Sequence, residues 1–169
     1  RIESIDLLLI NLTRSEWREF MPDAPFIQKH LNRIIPELPH FIPENRIVFY
    51  RDLLSNLYKK GFKTFALSHL SQKELLPENA GFITNENVYT YNDAAALTYT
   101  REKAQAFTYP VENDMDNLYS MRNKQGIVPV YFYPKLFISR MPVSVSNNEA
   151  FTDDMEAVYT KTVRDGITF

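Results

Sequence analysis

The feature that most constrains the fold of this chain is a regular alternation of short apolar segments with helical segments. Residues 63–68, 81–84 and 106–109 have the apolar composition of buried strands. Asn92 can cap a helix over residues 93–103, between the second and third of these strands. Strands that alternate with helices form right-handed parallel units. The sequence therefore predicts an α/β fold whose repeated strand-helix units resemble part of a TIM-type barrel.

The first third of the chain contributes two further candidate strands and the longest helical pattern. Apolar side chains recur at helical spacing over residues 44–60, and Gly61 can adopt the left-handed conformation that ends a helix. The segments before it are predicted, in chain order, to be a buried strand over residues 2–12, a loop over 17–25, a short helix over 26–33 and a proline-interrupted extended strand over 34–42.

Local capping and strand signals divide the middle of the chain. Residues 71–74 have the serine and glutamate spacing of a capping box, which predicts the start of a short helix. Residues 88–91 have a β-like composition. Asn113 or Asp114 can cap a helix that precedes a further strand over residues 127–133. These signals extend the alternation of strands and helices.

The last part of the chain changes character, because the strand-helix pattern stops. Residues 156–162 and 167–169 have the pattern of two hairpin arms, closed by an Asp-Gly pair at residues 165–166. We therefore expect residues 1–145 to form a partial barrel-like domain. We expect residues 146–169 to begin a β-rich extension that is truncated in this chain.

Composition limits the classes of function that the chain can have. Its 169 residues make one ordinary domain. Its 19 Lys and Arg residues against 21 Asp and Glu residues leave no basic excess of the kind that marks a general nucleic-acid binder. It contains no cysteine, so this segment offers no disulfide, thiolate metal site, iron-sulfur ligand or cysteine nucleophile.

The sequence also lacks the motifs of several common sites. The 3 histidines have no metal-ligand spacing, and we expect no metal and no cofactor in this segment. No Gly-x-Ser-x-Gly sequence occurs and only 4 glycines are present, which disfavours a serine-hydrolase elbow and excludes a glycine-rich phosphate loop. The longest apolar run is far shorter than a membrane span, so we expect a soluble, cytoplasmic protein with no membrane partner.

Five short sequences occur in an order that matches a known family. They are PHFIPE at residues 39–44, FALSHLSQ at 65–72, YNDAAA at 91–96, PVEND at 110–114 and PKLFISR at 134–140. Together they resemble the collagenase-like peptidase family U thirty-two, over about residues 38–165. The resemblance implies that the chain is the C-terminal half of a TIM-type barrel domain and a peptidase-like hydrolase that acts in proteolysis.

The same resemblance implies a second activity that this segment does not support by itself. Some members of the family assist the hydroxylation of an RNA base or a quinone ring with a cysteine-ligated iron-sulfur cluster. In those members a cysteine closely follows the Ser-Arg strand, whereas here Ser139 and Arg140 are followed by Met, Pro and Val. A hydroxylation role would therefore need iron-sulfur ligands that lie outside this segment.

Polar side chains at the carboxyl ends of the predicted strands form the candidate site, because ligands bind at that edge of parallel sheets. Glu112 or His69 is expected to act as an acid or base, and Arg140 to pair with a carboxylate such as Glu112 or with a phosphate. The expected substrate-binding residues are Gln72, Asn92, Asn113 and Tyr133. Helix capping is the alternative role for the asparagines, and a structural role is the alternative for His69.

Two other functions are open at the level of the sequence. The chain fits a non-catalytic binding or scaffold domain that holds RNA, a peptide or a partner subunit. It also fits a part of an RNA- or quinone-hydroxylation protein. The remainder of the full-length chain is the expected partner, and a peptide or an RNA is the expected substrate.

Overall fold

Strands and helices alternate along the greater part of the chain in the computed structural model, which describes residues 4–132, 135–141, 143–144, 146 and 148–169. The chain divides into two units. The first unit holds the described residues up to Leu12 together with Glu19–Val130, and the second holds Thr13–Arg18 with the described residues of Tyr131–Phe169. Each unit has strands of its own.

Short parallel strands organise the first unit. They are β1 (Leu8–Ile10), β2 (Ile34–Pro36), β3 (Thr64–Leu67), β4 (Gly81–Thr84) and β5 (Ala104–Phe107). β1 pairs with β2, and β3, β4 and β5 form a sheet in that order, with every pairing parallel. Single parallel bridges from Glu37 to Ala66 and from Thr108 to Ile127 continue this order on both sides. The predicted α/β fold with parallel strands is confirmed.

Helices occupy most of the segments between these strands. The α-helices of the described residues are α1 (Arg14–Glu19), α2 (Pro25–Lys29), α3 (Ile47–Lys59), α4 (Asp93–Arg101) and α5 (Met115–Ser120), and 3-10 helices cover Glu44–Arg46, Leu70–Leu75 and Glu86–Val88. The buried residues of α3 are Tyr50, Leu54 and Leu57, whose spacing places them on one face. Gly61 follows α3 with a φ of 107°, a positive value that favours glycine, as predicted.

The core of the first unit covers both faces of β3. Phe65, Ala66 and Leu67 are fully buried, and successive side chains of a strand point to opposite faces. Ala66 packs with Ile35 of β2 and Ile83 of β4, so equivalent positions of neighbouring strands share one apolar layer. Burial on both sides is typical of parallel sheets, whose connecting helices cover the faces.

The loop predicted over residues 17–25 is wrong at its start, because α1 extends to Glu19 and buries Trp17. Thr13 and Glu16 begin this helix as a capping box. The backbone N–H of Thr13 donates to Glu16 Oε2 at 2.6 Å, and the backbone N–H of Glu16 donates to Thr13 Oγ1 at 3.4 Å. The spacing of threonine and glutamate was therefore a readable signal for a helix.

The β-like prediction for residues 88–91 is wrong as well. The chain forms a 3-10 turn over Glu86–Val88, and Tyr89 then adopts the left-handed conformation with φ 58° and ψ 60°. Thr90 is fully buried after it. The surrounding structure therefore fixes a turn at these residues, although their composition favours a strand.

Two other local predictions need correction. The cap of the helix near residues 71–74 is His69, paired with Gln72, instead of Ser71 with Glu74. The strand predicted over residues 127–133 forms one parallel bridge, at Ile127, and its last residue lies outside the described part of the chain. In both places the sequence indicates the correct region but the wrong hydrogen-bond partners.

The described residues of the second unit form two antiparallel pairs of strands. β6 (Ala150–Thr152) pairs with β7 (Val158–Thr160), and β8 (Val163–Arg164) pairs with β9 (Ile167–Thr168). Asp165 and Gly166 both have positive φ, 53° and 75°, so the predicted Asp-Gly turn is confirmed. The hairpin arm predicted over residues 156–162 is wrong in its pairing. Its strand β7 pairs with β6 instead of with residues 167–169.

Candidate functional site

A group of polar side chains lies at the carboxyl edge of the parallel strands in the first unit. Asn11 directly follows β1, Glu37 follows β2, Ser68 follows β3 and Asn85 follows β4. Because the strands are parallel, their carboxyl ends meet at the same edge, and hydrogen bonds join these four residues. We refer to Asn11, Glu37, Ser68 and Asn85 as the carboxylate–amide cluster.

Glu37 is the acceptor at the centre of this cluster. Its Oε1 atom accepts a hydrogen bond from Asn85 Nδ2 at 2.8 Å, and its Oε2 atom accepts one from Asn11 Nδ2 at 3.3 Å. The Glu37 side chain is half-buried, whereas Asn85 is buried. Two amides from different strand ends therefore fix the orientation of one carboxylate that still reaches the surface.

Ser68 supports the cluster and is itself 2% exposed. Its hydroxyl donates to the backbone carbonyl of Leu38 at 2.8 Å and accepts a hydrogen bond from Asn85 Nδ2 at 2.7 Å. Its backbone N–H donates to Gln72 Oε1 at 2.9 Å. The Ser68 hydroxyl proton is thus directed at a backbone carbonyl, which is the geometry of a structural serine.

Gln72, a predicted substrate-binding residue, is buried and bonded at both ends of its amide. Its Nε2 atom donates to the carbonyl of Pro39 at 2.8 Å, while its Oε1 atom accepts from the backbone N–H groups of Ser68 and His69. It therefore holds the segment after β2 against the segment after β3. The geometry gives Gln72 a positioning role beside the cluster.

His69 is exposed and lies beside an open cleft of about 470 Å³ in the first unit. His40, Arg51 and Glu74 also line this cleft. The His69 Nδ1 atom lies 2.7 Å from Ser71 Oγ and accepts from the backbone N–H of Ser71 at 3.3 Å. His69 therefore caps the 3-10 helix that follows it, which is the structural role named as the alternative.

A second group lies around the start of α4 and α5. The rings of Tyr89 and Tyr91 stack with centroids 6.0 Å apart and an interplanar angle of 11°. Asn117 Nδ2 donates to the backbone carbonyl of Tyr91 at 2.8 Å and to Asn113 Oδ1 at 2.6 Å. Burial of the Tyr91 hydroxyl raises its pKa, and the charges of Glu112 and Tyr89 raise this pKa further. We refer to Tyr89, Tyr91, Glu112, Asn113 and Asn117 as the tyrosine–glutamate cluster.

The asparagines predicted to bind substrate have different surroundings. Asn92 is exposed, and its Oδ1 atom accepts from the backbone N–H of Ala95 at 2.9 Å, so it caps α4. Asp114, and not Asn113, caps α5. The Nδ2 group of Asn113 is buried and has no hydrogen-bond partner among the described residues. Capping therefore accounts for Asn92 but not for Asn113.

The remaining predicted site residues are in different parts of the chain. Glu112 is exposed and belongs to the first unit, while Arg140 is exposed and belongs to the second. Their ion pair stays a prediction. Tyr133 lies outside the described residues.

Metal-binding groups and membrane-spanning helices are both absent from the described residues. No group of three or more His, Cys, Asp or Glu side chains there is arranged to hold a metal ion. No helix in this part of the chain is long and apolar enough to cross a membrane.

Sequence reasoning missed the central residue of the carboxylate–amide cluster. Glu37 falls inside the segment over residues 34–42 that the prolines marked as a single extended strand, whereas β2 ends at Pro36. The same error concealed Asn11 at the end of a predicted strand over residues 2–12. A polar residue directly after a short apolar run was the signal that could have found both.

Comparison with known proteins gives no relative for this chain. No family model matches it, and neither a curated protein nor a solved structure matches it significantly.

Proposed function

We propose that the chain is part of a TIM-type barrel hydrolase that cleaves peptide bonds, with Glu37 as its acid-base residue. The observation that carries this proposal is the placement of the Glu37 carboxylate. It lies at the carboxyl edge of the parallel strands, is held by two side-chain amides and remains half-buried. Sites of α/β proteins lie at this edge.

The chemistry requires one proton to move twice. Glu37 takes a proton from a water molecule as the water oxygen attacks the carbonyl carbon of a peptide bond. Glu37 then returns the proton to the amide nitrogen as the C–N bond breaks, which leaves a carboxylic acid and an amine. A carboxylate within hydrogen-bond reach of the attacking water can perform both steps.

Asn11 and Asn85 act as positioning residues in this proposal. Their amides hold the two Glu37 oxygens, so the carboxylate keeps one orientation at the carboxyl edge of the strands. Preorganised acid-base groups need less rearrangement during the reaction. The barrel part of the proposal is supported by parallel strands that are neighbours in chain order and by the helices between them.

The experiment is a hydrolysis assay of the full chain with fluorescein-labelled gelatin and with a quenched fluorogenic peptide library. We expect Glu37→Gln to lower kcat by about 100-fold or more, because it removes the acid-base group. Glu78→Gln is the control, since Glu78 is an exposed carboxylate in a surface turn. A Glu37→Gln protein that is folded and fully active would refute the assignment.

A second candidate function is a peptide-binding domain without catalysis. The observation that favours it is that the polar groups of Ser68 and Asn85 already form hydrogen bonds within the protein, so they are not available to take part in a reaction. Peptide binding without turnover, and unaffected by Glu37→Gln, would support this candidate over the hydrolase.

A further inference from the structure

The stacked tyrosines of the tyrosine–glutamate cluster form an exposed aromatic surface. Tyr89 is 53% exposed, and Tyr91 is half-buried. The two rings stack in nearly parallel planes. A bulky residue in the left-handed conformation is rare, and Tyr89 has φ 58°. Such strained residues persist only where the surrounding structure holds them.

Hydrogen bonds hold the backbone on both sides of Tyr89. The Tyr99 hydroxyl donates to the Val88 carbonyl at 2.9 Å, and the Tyr91 backbone N–H donates to the Tyr89 carbonyl at 3.0 Å. Asn117 then anchors the Tyr91 carbonyl at 2.8 Å. The backbone that carries the two rings is therefore held in place before any ligand arrives, which lowers the entropic cost of binding.

A carboxylate accompanies this aromatic surface. Glu112 is exposed, and its charge adds to the raised pKa of the Tyr91 hydroxyl after the larger effect of burial. Asn117 connects the neighbouring Asn113 to Tyr91, which brings the turn that carries Glu112 beside the tyrosines. An aromatic face next to a carboxylate attracts cations, because the ring quadrupole and the negative charge act in the same direction.

We propose that the tyrosine–glutamate cluster binds the cationic side chain of an arginine or lysine in a peptide, with the cation over the exposed face of Tyr89 and paired with Glu112. The cluster lies at the carboxyl end of the sheet, following β4 and β5. If the chain is a peptide hydrolase, this is a subsite for basic substrates, and that part rests on the proposed function. Binding itself does not require the chemistry of Glu37.

The charges of the neighbouring residues favour a basic peptide over a nucleic acid. Exposed aromatic rings also bind bases, but nucleic-acid sites combine such rings with basic grooves. Here Glu86 precedes Tyr89, and the exposed Asp114 and Asp116 follow the turn of Glu112. These carboxylates repel phosphates and attract cationic peptides.

The experiment measures binding of short fluorescein-labelled Gly-Ser peptides to the full chain by anisotropy at low ionic strength. One peptide carries arginine, and its matched partner carries neutral citrulline at the same position. We expect the arginine peptide to bind about tenfold more tightly, the size of a cation–π contact with an added counter-ion. Lysine and acetyl-lysine peptides give a second matched pair, for which we expect the same preference.

Variants separate the cluster from the fold. Glycine accepts positive φ, so Tyr89→Gly keeps the backbone and should remove most of the arginine preference. Glu112→Gln should lower the preference for the arginine peptide and make that preference less dependent on salt concentration. Tyr119→Ala, which removes a tyrosine that is 74% exposed on α5, and Glu78→Gln are the controls and should bind like the unaltered chain.

Equal binding of the arginine and citrulline peptides would overturn the proposal, as would an arginine preference that survives Tyr89→Gly. Binding of a labelled single-stranded oligonucleotide that depends on Tyr89 and exceeds peptide binding would also overturn it. The Glu37→Gln protein should keep the arginine preference. If it does so without any loss of hydrolysis, the hydrolase assignment fails while the cation site stands.

Discussion

Removing the Asn85 amide tests whether the carboxylate–amide cluster stabilises the fold. Asn85 is 3% exposed, and its side chain forms hydrogen bonds with three residues. Its Nδ2 atom donates to Glu37 Oε1 and Ser68 Oγ, and its Oδ1 atom accepts from the backbone N–H of Asn87 at 3.0 Å. Asn85→Ala deletes these three hydrogen bonds together with a fourth, longer one from Asn87 Nδ2 to Asn85 Oδ1 at 3.2 Å, and leaves their partners at the edge of the sheet.

The magnitude follows from the type of each hydrogen bond. The contact with the Glu37 carboxylate is worth about 1.5–3 kcal/mol, and the contacts with Ser68 and Asn87 are worth about 0.5–1.5 kcal/mol each. Because Glu37 is half-buried, water can replace its lost donor in part, which favours the lower end of the sum. We expect Asn85→Ala to lower the free energy of unfolding by about 3 kcal/mol. In a chain of this size that corresponds to a fall of about 6–12 °C in Tm.

Urea denaturation followed by circular dichroism measures this loss directly. Asn56→Ala is the matched control, because Asn56 is an exposed residue of α3 and its replacement should change the free energy of unfolding by less than about 0.5 kcal/mol. In Asn85→Asp a second carboxylate would face Glu37, so its loss of stability should shrink as the pH falls. A loss below about 1 kcal/mol for Asn85→Ala would refute the reasoning.

Two further predictions concern single residues of the first unit. Backbone N–H groups of Asn123 and Arg122 lower the pKa of the Asp93 carboxyl below its ordinary 3.8, so its stabilisation is present above about pH 4 and is lost as the pH falls through the lowered value. Asp93→Asn should therefore lower Tm at neutral pH and much less at pH 2, as calorimetry can check. A Cβ atom at Gly126 would overlap the ring of Tyr109, which is buried and bonded to the Asn123 carbonyl. Gly126→Ala should cost about 1–3 kcal/mol, and an unchanged urea midpoint would contradict this.

The sequence predicted part of the tyrosine–glutamate cluster. Glu112 and Asn113 were predicted as site residues from their place after a strand, and the structure brings Asn113 next to Tyr91 through Asn117. The conformation of Tyr89 could not be predicted, because β-propensity describes a residue in an average environment. Here the hydrogen bond from the Tyr99 hydroxyl fixes a turn at Val88 instead.

Features that depend on neighbours along the chain were determined by the sequence itself. The apolar face of α3, the Asn92 cap of α4 and the Asp-Gly turn at residues 165–166 all form as predicted. Each involves atoms within one turn of helix or one tight turn, so local composition decides it.

The carboxylate–amide cluster was decided by the tertiary structure alone. Glu37 meets Asn11 across a separation of 26 residues and Asn85 across 48 residues. Those contacts exist because the register of β1 with β2, the parallel bridge from Glu37 to Ala66 and the register of β3 with β4 bring the strand ends to one edge. Register depends on how apolar side chains of different strands pack, and no short stretch of sequence contains that information.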